Sequence, residues 1–288
     1  MILAIRGEQL DEKTTQTLCR ACGASELEVA DNGLVWLFNA TPSAAFLNMC
    51  QTMRLDWACM PAARHSLTDF GLFITDMDST LINIECIDEI AALQGRGREV
   101  TRITEAAMRG EIDFAESLHQ RVQALSGLPE QALEQVFTQR LQLNPGAAQL
   151  MNSLRKAGTY TILVSGGFTF FTDRLKQQLG FDEAHANQLE VVDGRLTGRL
   201  SGSVIDAAAK GRCLRAARDK LGLDADRTIA VGDGANDLQM LDAAGFAVAY
   251  RGKQILRGVA NCWLEFGPLD AIVDFLTPPS TKGSRYAV

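Results

Sequence analysis

Two aspartates, Asp76 and Asp78, stand two residues apart in the segment DMDST, directly after the apolar run Gly71–Thr75. Such a run reads as a buried strand, so both carboxylates leave its end into one loop. A carboxylate placed there can attack phosphorus and form an aspartyl-phosphate, and an acid beside it can protonate a leaving oxygen. Three further segments carry matching equipment. VSGG, at 164–167, offers the Ser165 hydroxyl and the N–H groups of Gly166 and Gly167 ahead of a helix, a cradle for phosphate oxygens. Lys210, at a helix start in AAAKGRCL, is a point charge for phosphate. VGDGAND, at 231–237, ends a strand with Asp233, Asn236 and Asp237. A buried strand ending in two carboxylates is costly without a cation, and hard oxygen donors suit Mg²⁺.

Singly, each feature has an ordinary explanation: surface acidity, a turn, a solvated lysine. The four together, in this order and at the ends of apolar strands, point to a phosphoryl-transfer site. Electrostatics then sets its requirements. One pair of like charges at 4 Å costs roughly 4 kcal/mol at an effective dielectric of about 20. Asp76, Asp78, Asp233 and Asp237 can share a mouth with phosphate only if Mg²⁺ and Lys210 offset them. Asp78 must also titrate above the ordinary aspartate value of about 3.9 to hold a proton at neutral pH. The three histidines, His65, His119 and His185, adjoin none of these motifs, so a carboxylate is the better acid.

The elements that must position these residues follow from periodicity. Short apolar strands (GLFIT, YTILVSGG, RTIAVGD, GFAVAY, ANCWLEF) alternate with amphipathic helical stretches, predicting a doubly wound, Rossmann-like parallel α/β sheet. Between the first two strands, about 83–143, the pattern is helical throughout and predicts a four-helix cap inserted at the carboxyl end of the sheet. LEVVDGRLTGRL reads as a hairpin turned at Asp-Gly. Residues 1–65 read as a separate β-α-β-β-α-β unit, α+β and ferredoxin-like, similar to ACT modules. The expected division is 1–65 and 66–288, the second comprising a core (66–82 and 144–288) and the cap.

Composition narrows the partners. The 288-residue chain is 47% hydrophobic, with a net charge of −7 and no Lys/Arg-rich block, which argues against nucleic acid and anionic membranes. No apolar stretch approaches the roughly 20 residues of a membrane span, and MILAIRGEQL turns polar too soon for a signal peptide. Seven cysteines, an odd number, fit a reduced, cytoplasmic setting. The pair Cys19 and Cys22 has metal or redox spacing but falls in a helical pattern, and is expected to be structural.

DMDST, VSGG, Lys210 and VGDGAND together resemble the four motifs of the haloacid-dehalogenase-like hydrolases, over roughly Phe70 to the C-terminus. Within that family, DMDSTLINIECIDEIA and KGRCL look most like the branch that hydrolyses phosphoserine, the last step of serine biosynthesis. The resemblance implies that Asp76 is the nucleophile and Asp78 the general acid/base. It implies that Ser165, Gly166, Lys210 and Asn236 bind the phosphoryl group. Mg²⁺ would rest on Asp76, the Asp78 backbone carbonyl, Asp233 and Asp237. From the cap, Glu85 would pair with the substrate ammonium and Arg121 with its carboxylate, while Met108 and Phe114 close the pocket. Asp88 and Glu89 read as facing water. A phosphotransferase using homoserine, a phospho-accepting receiver and a dehalogenase remain as alternatives. The N-terminal unit is expected to sense serine, to mediate a homodimer, or to be purely structural.

Overall fold

The computed structural model describes residues 1–8, 10–30, 32–61, 66–277 and 286–287, leaving aside the side chains of Met108 and Ala287. The chain opens with β1 (Ile2–Arg6), α1 (Glu12–Cys22), β2 (Glu26–Val29), β3 (Val35–Phe38), α2 (Ala44–Thr52) and β4 (Asp56–Met60). This is the β-α-β-β-α-β order expected. Helix α1 starts where the Asp11 carboxylate accepts the Thr14 N–H at 2.7 Å, satisfying one of the orphan donors of the first turn. It buries Thr15, Leu18, Cys19 and Cys22 on one face. Cys19 and Cys22 are thus core residues. All seven cysteines are free thiols, six of them buried.

The second part contains β5 (Leu72–Thr75), the helices α3 (Cys86–Leu93), α4 (Gly97–Met108), α5 (Phe114–Ala124) and α6 (Gln131–Gln139), then α7 (Ala147–Ala157) and β6 (Tyr160–Phe168). It continues with α8 (Thr169–Leu179), the hairpin β7 (Glu183–Val192) and β8 (Arg195–Ser201), α9 (Ala207–Lys220), β9 (Thr228–Gly232), α10 (Leu238–Asp242), β10 (Phe246–Tyr250), β11 (Cys262–Leu264), α11 (Ala271–Phe275) and β12 (Tyr286–Ala287). Strands β11, β10, β9, β5, β6 and the first half of β7 are parallel and lie side by side in that order. Near-continuous apolar runs build them because helices cover both faces. After β5 the chain crosses to β6 on one side, and later returns to β9 on the other. That reversal opens a crevice at the carboxyl ends of β5, β6 and β9, where doubly wound sheets bind ligands.

Helices α3–α6 form the expected cap over that crevice. Two linkers carry it, joined by an antiparallel bridge between Ile82 and Leu143. The buried Asn144 amide donates to the carbonyls of Thr80 and Ile82, at 2.8 and 3.0 Å. The cap has a second anchorage. The β7–β8 hairpin turns at Asp193 and Gly194, both at positive φ (51° and 71°), which is the geometry that favours Asp-Gly. Its outer strand reaches the loop between α5 and α6: Gly127 N–H donates to the Leu196 carbonyl, Leu196 N–H to Leu128, and Glu130 N–H to Gly194. On the neighbouring side, Arg174 of α8 pairs with Glu134 of α6 at 3.3 Å and stacks on Phe170.

The twelve strands among the described residues form one sheet, ordered β12-β2-β3-β1-β4-β11-β10-β9-β5-β6-β7-β8. The N-terminal strands are therefore continuous with the core: β4 pairs antiparallel with β11, Ala58 opposite Cys262 and Trp57 opposite Trp263. Asp56, 2% exposed, locks this seam. Its carboxylate accepts the N–H groups of Glu265, Phe266 and Gly267 at 2.7, 2.9 and 2.7 Å. Replacing Asp56 with Ala leaves three amides without their acceptor and should destabilise the protein by roughly 3 kcal/mol. Urea unfolding would show this as a lowered midpoint, whereas an unchanged midpoint would mean that the seam does not depend on this carboxylate.

Candidate active site

Asp76 leaves β5 with its N–H bound to the Val231 carbonyl of β9, so its placement is fixed by the sheet itself. It is 2% exposed. One carboxylate oxygen lies 2.8 Å from Lys210 Nζ and also accepts the Met77 N–H at 2.7 Å. The other accepts the Asn236 amide at 3.2 Å. Lys210, in the first turn of α9 behind the Asp206 N-cap, is 1% exposed and also lies 2.8 Å from Asp237. Burial disfavours its ammonium, but Asp237 and Asp76 outweigh that and hold its pKa above the ordinary lysine value.

The turn after β9 is built around Asp237. One of its oxygens takes the Lys210 bond, and the other accepts the N–H groups of Asp233 and Gly234 at 3.0 and 3.1 Å. Asp233 is thereby aimed at Asp76, with Lys253 Nζ 3.5 Å away and the Thr80 hydroxyl at 3.4 Å. Ligand oxygens of Asp76, Asp233 and Asp237 fall within 4.8 Å of one another. Burial, and then Asp237, push Asp233 up to about 6. The same two causes raise Asp76 despite Lys210. Three buried carboxylates against one buried ammonium leave uncompensated negative charge among hard oxygens. The residues therefore fit a divalent cation such as Mg²⁺, and Asp233, with neither oxygen held by a backbone N–H, is the least committed of the three.

Asp78 is half-buried and lies across the loop from Asp76. Burial first, and then the like charge of Glu85, push it up to about 7, and one of its oxygens is shielded without a hydrogen-bond partner. It can hold a proton at neutral pH, as an acid must. Gly167 faces it closely: a β-carbon there would sit 2.9 Å from Asp78 Oδ2 and 3.0 Å from Ser165 Oγ, so only glycine fits. The VSGG segment departs from expectation. Strand β6 runs on through Phe168 and α8 starts at Thr169, so Ser165–Gly167 is not a helix N-terminus. A register shift against β7 between Val164 and Phe168 turns this stretch toward the crevice instead. Within it, the Gly167 N–H is already taken by Ser165 Oγ at 2.8 Å.

Asp76, Asp78, Ser165–Gly167, Asp233 and Asn236 line a cavity of about 550 Å³ between core and cap, which also takes in Glu85, Asp88, Phe114, Ser117, Arg121 and Lys253; Lys210 and Asp237 lie buried behind its wall. Glu85 caps α3 and accepts the Ser79 hydroxyl at 2.7 Å. Phe114 reaches down to within 3.3 Å of where a β-carbon on Gly166 would lie. Met108 ends α4, and its side chain lies outside the described residues. Asp88 corrects the sequence reading: it faces the cavity rather than water, half-buried, with one oxygen shielded and unpartnered. Its spacing of three from Glu85, one face of a helix, is the signal that could have found it. Glu89 faces outward, 3.9 Å from Arg140. Asn187 also went unread: buried, it donates to the Gly166 carbonyl and accepts the Ile205 N–H, both at 2.8 Å.

A fold with this crevice, this order of strand-end carboxylates and this helical insert defines a class, and the comparisons agree. A family model described as haloacid dehalogenase-like hydrolase matches residues 73–242, and the chain belongs to that family. The phosphoserine phosphatase of Albidiferax ferrireducens is 50% identical over 217 residues, covering 74% of this chain and 92% of that protein. That of Haemophilus influenzae is 38% identical over 275 residues, 94% of this chain and 87% of that protein. A solved phospho-aspartyl intermediate analogue of phosphoserine phosphatase superposes with a TM-score of 0.67 at 39% identity, covering 72% of this chain and 99% of that one.

The raised carboxylates have a consequence for stability. Asp76, Asp78 and Asp233 bind protons more tightly in the folded chain than in the unfolded one. Each contribution is complete below the unfolded value of 3.8, and those of Asp233 and Asp78 are lost as pH rises through about 6 and about 7. Glu183, lowered to about 2 by Lys220, Tyr160 and His185, contributes a constant amount above pH 5. In EDTA, unfolding free energy should therefore fall from pH 5 to 8. Excess Mg²⁺ should flatten or reverse that slope, because a cation binds the deprotonated carboxylates. Parallel urea titrations test this, and identical slopes would count against a cation at these residues.

Proposed function

We propose that this chain is a Mg²⁺-dependent hydrolase of O-phospho-L-serine that acts through an aspartyl-phosphate on Asp76. The observation that carries the reading is one cavity with two chemically distinct ends. Asp76, Ser165 and Asn236 line a phosphate end, with Lys210 paired behind Asp76, while Arg121 and Glu85 on the cap form an end suited to an amino acid. The relatives named above act on phosphoserine, and one was captured as an analogue of the phospho-aspartyl intermediate.

In this reading the Asp76 carboxylate attacks phosphorus in line, the bond from phosphorus to the seryl oxygen breaks, and Asp78 gives its proton to that oxygen. Serine leaves. Asp78, now ionised, takes a proton from water as the water attacks the acyl phosphate, releasing phosphate and regenerating Asp76. Lys210, Ser165 and Asn236 hold the phosphoryl oxygens and keep Asp76 in line. Asp76, Asp233 and the Asp78 carbonyl, with Asp237 behind them, would hold Mg²⁺, which would supply positive charge against the phosphoryl oxygens. Met108 and Phe114 would close the cavity over the substrate.

Asp76→Asn should lower phosphoserine turnover roughly a thousandfold or more, and EDTA should remove activity that Mg²⁺ restores. Near-normal turnover in either case would overturn the reading. Product analysis with homoserine present separates hydrolysis from phosphoryl transfer: free phosphate should match the serine released one for one, and phosphohomoserine would reveal a transferase.

We also assign residues 1–65 to an ACT-like unit and 66–288 to the phosphatase, with a core of 66–82 and 144–288 and a cap of about 83–143. A cytoplasmic location is the one we assign, supported by the free cysteines; no helix among the described residues is long and apolar enough to cross a membrane. A cavity of about 710 Å³ between α1, β2 and β12 supports feedback by serine, and a homodimer is the assembly we assign. Because β4 is paired to β11, both are best tested on the whole chain. Serine should inhibit at a site that phosphoserine does not compete for, and light scattering should give twice 31.3 kDa. Purely competitive inhibition and a monomeric mass would leave this unit a structural role.

A further inference from the structure

Arg121 enters the cavity without a firm partner. Its Nε donates to the Ser117 carbonyl of its own helix at a long 3.4 Å, and among the described residues no carboxylate lies within 4.0 Å of its guanidinium. Burial lowers its pKa, opposed by Asp88 first, then Glu85 and Asp78. On the facing helix α3, Asp88 is raised by burial, and Arg121 is the cation that opposes the shift. One Asp88 oxygen is shielded from solvent with no hydrogen-bond donor. A shielded carboxylate facing a long, flexible cation has a clear use. A guanidinium offers five donors in a flat fork, so it can bind a ligand carboxylate with one edge while the other is held in place.

We infer that Asp88 is a positioning residue for Arg121: it takes one edge of the guanidinium when the cavity fills, so that the other edge meets the substrate carboxylate squarely. Glu85 is the separate acceptor for the ammonium, committed on its other side to Ser79. This rests on the reading of Arg121 as the carboxylate ligand. Asp88 therefore belongs to recognition of the carboxylate and not to the phosphoryl chemistry, about which Asp76 and Lys210 are organised.

Three substrates separate the possibilities: phosphoserine, phosphoethanolamine, which lacks the carboxylate, and 3-phosphohydroxypropionate, which lacks the ammonium. Asp88→Asn should raise KM for phosphoserine and for the ammonium-free analogue about tenfold, as loss of a charge-assisted contact implies. Their kcat should change little, and phosphoethanolamine should be affected far less. Asp88→Glu, which keeps the charge, should restore most of the phosphoserine KM. In an Arg121→Ala background, Asp88→Asn should add almost nothing. Equal losses on all three substrates, or a loss that follows the ammonium, would overturn the inference while leaving the proposed function intact. If the unmodified enzyme itself does not favour substrates bearing a carboxylate, the reading of Arg121 fails first. Should Asp88→Asn not fold, Asp88→Ser read on the same three substrates decides in its place: a loss confined to the two carboxylate-bearing substrates supports the inference, and an equal loss on all three overturns it.

Discussion

The carboxyl end of this sheet is organised around one buried cation. Lys210 comes from α9, Asp76 from the end of β5 and Asp237 from the turn after β9, and the ammonium lies 2.8 Å from each carboxylate. Taking one partner away from such a pair costs about 3–5 kcal/mol, because the charge left behind is buried and uncompensated. Three separate elements are therefore held in register by a single side chain. The same pairing fixes what the site can do. Asp76 is pinned at the mouth of the crevice, and Asp237 is occupied in shaping the turn that delivers Asp233.

A lysine alone does not balance the site, and that shortfall explains its chemistry. The raised values of Asp78 and Asp233 record how costly further negative charge is in this crevice. For Asp78 the cost is useful, since a carboxyl group that titrates near neutrality can give a proton and take one back. For Asp76 and Asp233 it is a demand for a cation. The amino-acid end of the cavity follows the opposite rule. There Asp88 and Arg121 sit on facing helices of the cap with no ion pair within 4.0 Å, and Glu85 stands at the start of the first of them.

Most of the phosphate end could be read from the sequence because its residues sit at the ends of apolar strands, where a carboxylate or lysine breaks a simple pattern. Asp76, Asp78, Ser165 and Asp233 all carried that mark, while Lys210 stood out as a cation at a helix start. Asp88 did not, because on an acidic helix the side that faces a cavity and the side that faces water differ only in what packs above them. Asn187 was hidden in a hairpin strand, and its partners, Gly166 and Ile205, lie about twenty residues away on either side. The bulge that presents Ser165 was illegible for a related reason: a register shift depends on the neighbouring strand, not on VSGG itself. The pairing of β4 with β11 spans some two hundred residues and leaves no local trace beyond two buried tryptophans.

The second anchorage of the cap, where the β7–β8 hairpin is bonded to the loop between α5 and α6, limits how the cavity can be entered. An insert held only by its two linkers could swing away as a whole. This one is fastened at the linkers, at the hairpin and through Arg174, which leaves the turn from α4 to α5 as the free edge. That edge contains Gly110 at a φ of 76° and carries Phe114, 37% exposed. Widening of the cavity mouth is therefore expected at that edge, as a local movement of one turn rather than a swing of the whole cap.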